Sequence, residues 1–189
     1  SFVYTAAAAT GPTPVVAPWT DDFNDGDVSD WTLLVAGDAP PQGWVLVDED
    51  GAGNLAMYHA DDTGNMDNYL ISPLLDVSGL NAPLLSWTER NLNASYYVSH
   101  TVLISDDFDG SNAATANWIE IHEGVAPAAM TTVEYGILST TTGVAFRYQG
   151  NYADNWIVDD VSVTETPVDP SMSVTASTNG ADATFTFDI

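Results

Sequence analysis

Residues 21 to 31, DDFNDGDVSDW, set five aspartates within ten residues just ahead of a tryptophan. Carboxylates at that density suit a hard cation, because Ca2+ collects about six to eight oxygen ligands. The stretch is not an EF-hand. With Asp22 at loop position 1, position 6 is Asp27 where glycine is needed, and position 12 is Leu33 where glutamate is needed. Two further segments, Asp48-x-Asp50-Gly51 and Asp107-x-Asp109-Gly110, fit calcium turns and ordinary hairpin turns equally well.

Catalytic constellations are missing. His59, His100 and His122 are scattered, and His122-Glu123 has Ala126 where a zinc-protease helix needs its second histidine. No G-x-S-x-G elbow occurs. A glycosidase needs only two carboxylates, with Glu89, Glu120 and Glu134 the first suspects on expected strands, yet surface charge accounts for them. The chain reads as a non-enzyme. Aromatics are the other signal, since a ring face packs on the apolar face of a pyranose. Tyr96, Tyr97, Tyr148, Tyr152 and Trp156 gather around two expected strand ends as a candidate ligand patch, with rim packing as the competing reading. Asn93-Ala94-Ser95 is an N-glycosylation sequon.

Composition bounds the partners. There are 27 acids against two bases, Arg90 and Arg147, for a formal charge of −25. Nucleic acid is excluded, because neutralising phosphates takes Lys and Arg. Anionic membranes are disfavoured on the same ground, and no apolar run approaches the ~18 residues of a membrane-embedded helix. A surface this acidic repels itself unless salt or bound cations screen it, so a saline or calcium-rich extracellular medium is expected. Aspartate outnumbers glutamate 21 to 6, which favours loops over helices. Cysteine is absent, removing disulfides and thiol chemistry. Ser1 reads as a processed start.

The elements that must position these residues are strands. Short β-prone runs broken by Gly, Asp, Asn and Pro cover 44–49, 54–60, 68–73, 83–90, 96–105, 117–122, 131–138, 143–150 and 155–166. About ten such strands predict an antiparallel β-sandwich. Residues 1–17 form a small-residue and proline-rich extension or linker, and 18–166 form the sandwich. Residues 167–189 form a hinge and a hairpin around Asn179-Gly180. The hairpin would set Met172, Val174 and Ala176 opposite Phe185, Phe187 and Ile189. A lone hairpin is marginal in water, so it must dock on the sandwich, begin another domain or pair with another chain.

Four stretches in order carry a family resemblance: DNYLISPLLDVSG (67–79) with PLLSWTER, then VLISDDFDGSNAATANWIEI (102–121), then GVAFRYQGNYADNWIVDDVSV (143–163), behind the opening PWTDDFNDGDVSDW (18–31). Together they resemble the choice-of-anchor J or cleaved-adhesin domain, a jelly-roll relative of MAM domains, over roughly residues 18–165. The polar surface departs from that pattern, having fewer lysines and threonines. The resemblance implies an all-β antiparallel jelly-roll β-sandwich with an adhesive role. It also implies a structural Ca2+ where the first strand's acid meets the last strand's Asp-Asp, which here maps onto Asp22 and onto Asp159 or Asp160. Residues 24–27 read as the turn that follows, from which Asp25 could add a ligand. Trp31, Trp44, Trp118 and Trp156 fall on the family's core aromatics.

These readings converge on a secreted, calcium-stabilised module for adhesion or extracellular assembly. Its partners would be other copies of itself or cell-surface and matrix components, with strand addition by the terminal segments joining a surface filament. The alternative is a carbohydrate-binding module of a larger secreted polysaccharide-degrading enzyme.

Overall fold

Residues 83 to 91 alternate without a break between buried and half-exposed positions, with Leu85, Trp87, Glu89 and Asn91 turned inward. That period of two is the signature of a strand covering a core on one face. The computed structural model describes residues 11–48, 51–60 and 63–167, and the backbone of 173–179 and 182–188. It contains the strands β1 (Val15–Val16), β2 (Trp19–Asp21), β3 (Thr32–Val35), β4 (Trp44–Asp48), β5 (Leu55–His59), β6 (Met66–Ile71) and β7 (Leu75–Asp76). They continue as β8 (Pro83–Asn91), β9 (Ser99–Ser105), β10 (Ile119–Glu123), β11 (Thr131–Gly136), β12 (Gly143–Gly150), β13 (Trp156–Glu165), β14 (Ser173–Asn179) and β15 (Asp182–Asp188). The helical element among the described residues is one 3-10 turn, Ala94–Tyr96. None of their helices is long and apolar enough to cross a membrane.

Two larger sheets pack face to face, in addition to a short β1–β7 pair and a β14–β15 pair. One has the order β10-β9-β12-β6-β3, the other β11-β8-β13-β5-β4, and β2 also pairs with β13. Each of the nine runs expected from sequence contains a strand, although 96–105 is strand only from Ser99, with Tyr96 in a 3-10 turn, and the protein is an antiparallel β-sandwich. Four short strands lay outside that expectation: β1, β2, β3 and β7. They are two to four residues long and carry too little pattern to stand out. Pairing holds them, as in the parallel contact of Val15 with Leu75.

β13 organises its sheet. One side runs along β8 for its whole length, while the other meets β5 over Trp156–Val158 and β2 over Val161–Val163. A bulge falls at the changeover, where Asp160 adopts φ +48° and the register with β8 shifts. Bulges bend a strand and re-aim its side chains.

The main core joins the inward faces of both sheets, including Trp87, Trp156, Tyr148, Phe146, Phe23 and Met57. Each such large apolar side chain contributes roughly 1.5–3 kcal/mol on burial. Val144, Phe146 and Tyr148 face this core as their alternation predicts. The facing of 68–74 is more specific than the pattern suggested. Tyr69, Ile71 and Leu74 pack into a second, smaller cluster with Leu103, Phe108 and Ala145, while Leu70 and Met66 serve the main core. The loop after β9 folds back over the sheet's outer face and buries it with Phe108 and Ala113. Trp31, Trp44 and Trp156 are core residues, and Trp118 is half-buried against Phe108.

β14 and β15 pair antiparallel as a two-stranded sheet of their own, with Val174 across from Phe187 and Ala176 across from Phe185. The register agrees with the expected hairpin. Met172, Gly180 and Ile189 lie outside the described residues.

Candidate functional site: a tyrosine groove over a buried polar network

Where β8 ends and β13 begins, two loops meet. Asn91 pairs with Trp156 in the ladder, so residues 92–98 and 151–155 leave the sheet side by side. Asn155 ties them together. Its carbonyl accepts from the Leu92 N–H at 3.1 Å, its side-chain oxygen accepts from Asn93 Nδ2 at 2.7 Å, and its amide donates to the Tyr58 hydroxyl at 2.6 Å. Asn93 opens the 3-10 turn with φ +115° and accepts from the Tyr96 N–H at 2.9 Å.

The result is a groove of about 250 Å³ lined by Asn93, Tyr96, Tyr152 and Ala153. Tyr96 is 65% exposed and Tyr152 is 68% exposed. Tyr152 sits at φ +51°, a left-handed backbone that bulky residues rarely adopt. Holding it there costs on the order of 1–3 kcal/mol, and such strain clusters at functional sites. Two of the four described non-glycine residues with positive φ therefore line this one groove.

The loop is held from beneath. Asp154, next to Tyr152 and Ala153, is fully buried and accepts a short hydrogen bond from the Asn91 side-chain amide. His100 Nε2 lies 3.3 Å from the Asp154 carboxylate, and the Tyr148 hydroxyl donates to the Asp154 carbonyl at 2.7 Å. His100 is stacked on Trp156 at 4.5 Å between ring centres, nearly parallel. Below that stack, Glu89 accepts from both indole N–H groups, Trp87 at 3.1 Å and Trp156 at 3.0 Å. The second buried histidine, His59, donates from Nδ1 to the Ala60 carbonyl and so receives the Asn68 amide at Nε2. It stacks on Tyr148 at 3.8 Å.

Gly150 allows the loop's path. A Cβ there would stand 2.7 Å from the Ala153 Cβ and 3.0 Å from the Tyr148 hydroxyl.

The five-residue aromatic patch thus divides by burial. Tyr96 and Tyr152 come together at the surface. Tyr97 turns back into the protein, donating to Glu123 at 2.7 Å and packing edge-on against His100. Burial, and then the Glu123 bond, push its hydroxyl up to about 12. Tyr148 and Trp156 are corrections: both are 0% exposed and face the main core, so neither ring can meet a ligand. Their strand positions alternate inward, and the turn they flank carries the exposed residues instead. Glu89 is a second correction. It is 3% exposed and bonded to two indoles, so surface charge does not account for it. Glu120 and Glu134 are exposed, as surface charge predicts.

The acidic stretch builds a different place. Asp21, Asp22, Asp25, Asp27 and Asp30 line an open groove of about 470 Å³ with Trp19, Thr20 and Ser29. Most of these carboxylates serve their own backbone. Asp21 accepts from the Phe23 N–H and from the Trp31 indole, Asp22 from the Asn24 N–H, Asp25 from the Asp27 N–H, and Asp27 from the Ser29 N–H. The Asn24 N–H and side chain hold the Asp22 carboxyl below the usual range, and the Ser29 hydroxyl, then its N–H, do the same for Asp27. Asp30 goes the other way: burial first, and then the charges of Asp21, Asp27 and Asp25, raise it.

Register brings Asp22 to the bulge, since Asp21 is paired with Val161. The Asp159–Asp160 side chains do not join the groove lining. Asp159 accepts from the Asp160 N–H, and Asp160 accepts from Thr88 of β8, on the side of β13 away from β2. Among the described residues, no three His, Cys, Asp or Glu side chains gather as a metal cluster. The four acids named from sequence therefore do not converge as a ready-made cage. The Asp107–Asn112 turn is likewise closed on itself, with Asp107 accepting from Ser105 and Asn117, and Asp109 from Ser111.

The architecture defines a class, the antiparallel β-sandwich fold. Within it, the chain is similar to the K2 cleaved adhesin domain of Lys-gingipain (20% identity, TM-score 0.62, 77% of this chain and 98% of that one). It is also similar to the K3 cleaved adhesin domain from Porphyromonas gingivalis W83 (21%, 0.63, 78% and 97%). A family 11 carbohydrate-binding module from Clostridium thermocellum, solved with a β-1,3-1,4-mixed-linked tetrasaccharide, shares the fold at 14% identity and a TM-score of 0.55, over 84% and 98%. These likenesses show an adhesin-like fold. No family model matches the chain, and no curated protein matches it.

Proposed function

We propose that this chain is a non-catalytic extracellular recognition module that attaches by binding a saccharide in the Tyr96–Tyr152 groove. The observation that carries the reading is the exposed tyrosine pair on one groove, one ring on a strained loop and both loops fastened to a buried network. Two rings carried on a backbone held in place before the ligand arrives leave less freedom to lose on binding, which is what preorganisation supplies. Adhesin domains and carbohydrate-binding modules share this fold, which supports an adhesive or glycan-binding role over an enzymatic one. Secretion and a saline setting belong to the same proposal, supported by the charge of −25.

Affinity electrophoresis through soluble polysaccharides tests the reading. The parent chain should be retarded by at least one of them. The Tyr96→Ala/Tyr152→Ala double variant should run unretarded while keeping its melting midpoint. Equal retardation of both proteins would remove the groove from the account.

Two further parts of the proposal stand apart from the groove. Calcium would act at residues 21–30 by drawing carboxylates together at the expense of their turn bonds, which is supported by five acids on one groove and the raised Asp30. Self-association would run through 168–189, supported by β14–β15 forming a separate two-stranded sheet. Deleting those residues should then abolish polymers and leave a folded monomer, whereas continued assembly would end that idea.

A further inference from the structure

The tyrosine groove also carries information about which saccharides it takes, an inference that rests on the glycan reading above. Its lining is Asn93, Tyr96, Tyr152 and Ala153, with no basic side chain. Arg147, one of two bases in the chain, is engaged elsewhere, holding Asp67 through Nε and Nη2 at 2.7 Å each. Beneath the loop lies the buried Asp154 carboxyl group, 3.3 Å from His100 Nε2, and Tyr97, next to the groove's Tyr96, donates to Glu123. A uronate or sulfate there would find no counter-charge among the described lining residues, and like-charge juxtaposition disfavours an anionic partner. The whole chain adds long-range repulsion.

Size narrows the ligand further. At about 250 Å³ the groove is below the roughly 300–1,000 Å³ of pockets that enclose a drug-sized molecule. Two rings at a single groove, rather than a line of rings along a sheet, give room for one sugar unit. The hydrogen-bonding groups that remain, the tyrosine hydroxyls and the Asn93 side-chain oxygen, suit uncharged hydroxyls and acetamido groups.

We propose that the groove selects a single neutral sugar unit, a chain end or a branch, and rejects uronated and sulfated glycans of the same backbone. A glycan array run in EDTA, with neutral, uronic and sulfated members and with both short and capped chain ends, tests this. EDTA removes calcium bridges between the acidic protein and acidic sugars. The expected result is binding confined to neutral glycans with a free terminal or branch unit, at least tenfold above the charged counterparts and lost in Tyr152→Ala. Binding to sulfated or uronated members that Tyr152→Ala abolishes would overturn the selectivity and leave the groove as the site. Tyr152-dependent binding to neutral chains with blocked ends would overturn the single-unit claim in the same way. Absence of any Tyr152-dependent binding would overturn the glycan reading together with this inference.

Discussion

The tyrosine groove and the acidic groove are both built on left-handed residues, Asn93 and Tyr152 in one, Phe23 beside the other with Asp160 at the adjoining bulge. They differ in where the polar groups go. In the tyrosine groove, polar side chains reach inward to a buried network of Asp154, Asn91 and His100, leaving aromatic rings free at the surface. In the acidic groove, the carboxylates curl onto their own backbone and the aromatic rings of Phe23 and Trp31 go inward. A loop whose polar atoms are used below can offer rings above. A loop whose rings are used below offers charge.

That contrast is open to experiment, and the largest effects should come from beneath the tyrosine groove. Trp156→Ala should cost about 3–5 kcal/mol in urea unfolding, because it empties a core site and strips one of its two indole donors from Glu89. Asp154→Ala should cost less, about 1–3 kcal/mol, by leaving the buried Asn91 amide without its acceptor. A loss under about 1 kcal/mol in either variant would show that the network is not what holds the loop.

Gly150→Ala comes next. The new Cβ must push Ala153 away, so we expect destabilisation of about 1–3 kcal/mol from overpacking and a loss of groove binding. Tyr152→Ala should then change unfolding by no more than about 0.5 kcal/mol, since the ring is mostly exposed. Large destabilisation there would make Tyr152 a structural residue.

The acidic groove should respond to pH and calcium by smaller amounts. Asp30 has a raised value in the folded state, so its contribution is full below the ordinary value of 3.8 and is lost as pH rises through the raised one. Asp22 and Asp27 are lowered, so theirs is present above 3.8 and lost as pH falls through their folded values. A melting scan from pH 7 downward should rise as Asp30 takes its proton and fall below 3.8. Asp30→Asn should raise the midpoint at pH 7 and flatten the rising limb; an unchanged profile would mean Asp30 feels no such crowding. Millimolar calcium should raise the midpoint beyond sodium chloride of matched ionic strength, and equal midpoints would take calcium out of the account.

The sandwich was legible in the sequence because alternation at positions such as 143–148 and 83–91 repeats over enough residues to declare a face. β2 and β3 were not legible, since three or four residues hold no period and their pairing with β13 and β6 is a tertiary event. Tyr96 and Tyr152 were visible as aromatics beside strand ends. Trp156 and Tyr148 were drawn into the same patch because proximity in sequence does not report which way a strand side chain faces. Inward alternation from Val158 and Phe146 was the signal that could have separated them. Asn93 and Ala153 left no such trace, apart from the sequon. The acids of 21–30 were conspicuous, but whether Asp159 and Asp160 faced them depended on a bulge that composition does not announce.

The most direct test of the groove is an NMR titration of the parent chain with a neutral oligosaccharide that it binds, followed at every backbone amide. Groove binding should concentrate shifts in 92–97 and 151–155, with residues 21–30 silent. Shifts centred on the acidic loop, or on the outer sheet face around Tyr69 and Arg147 with the tyrosine groove unmoved, would contradict it.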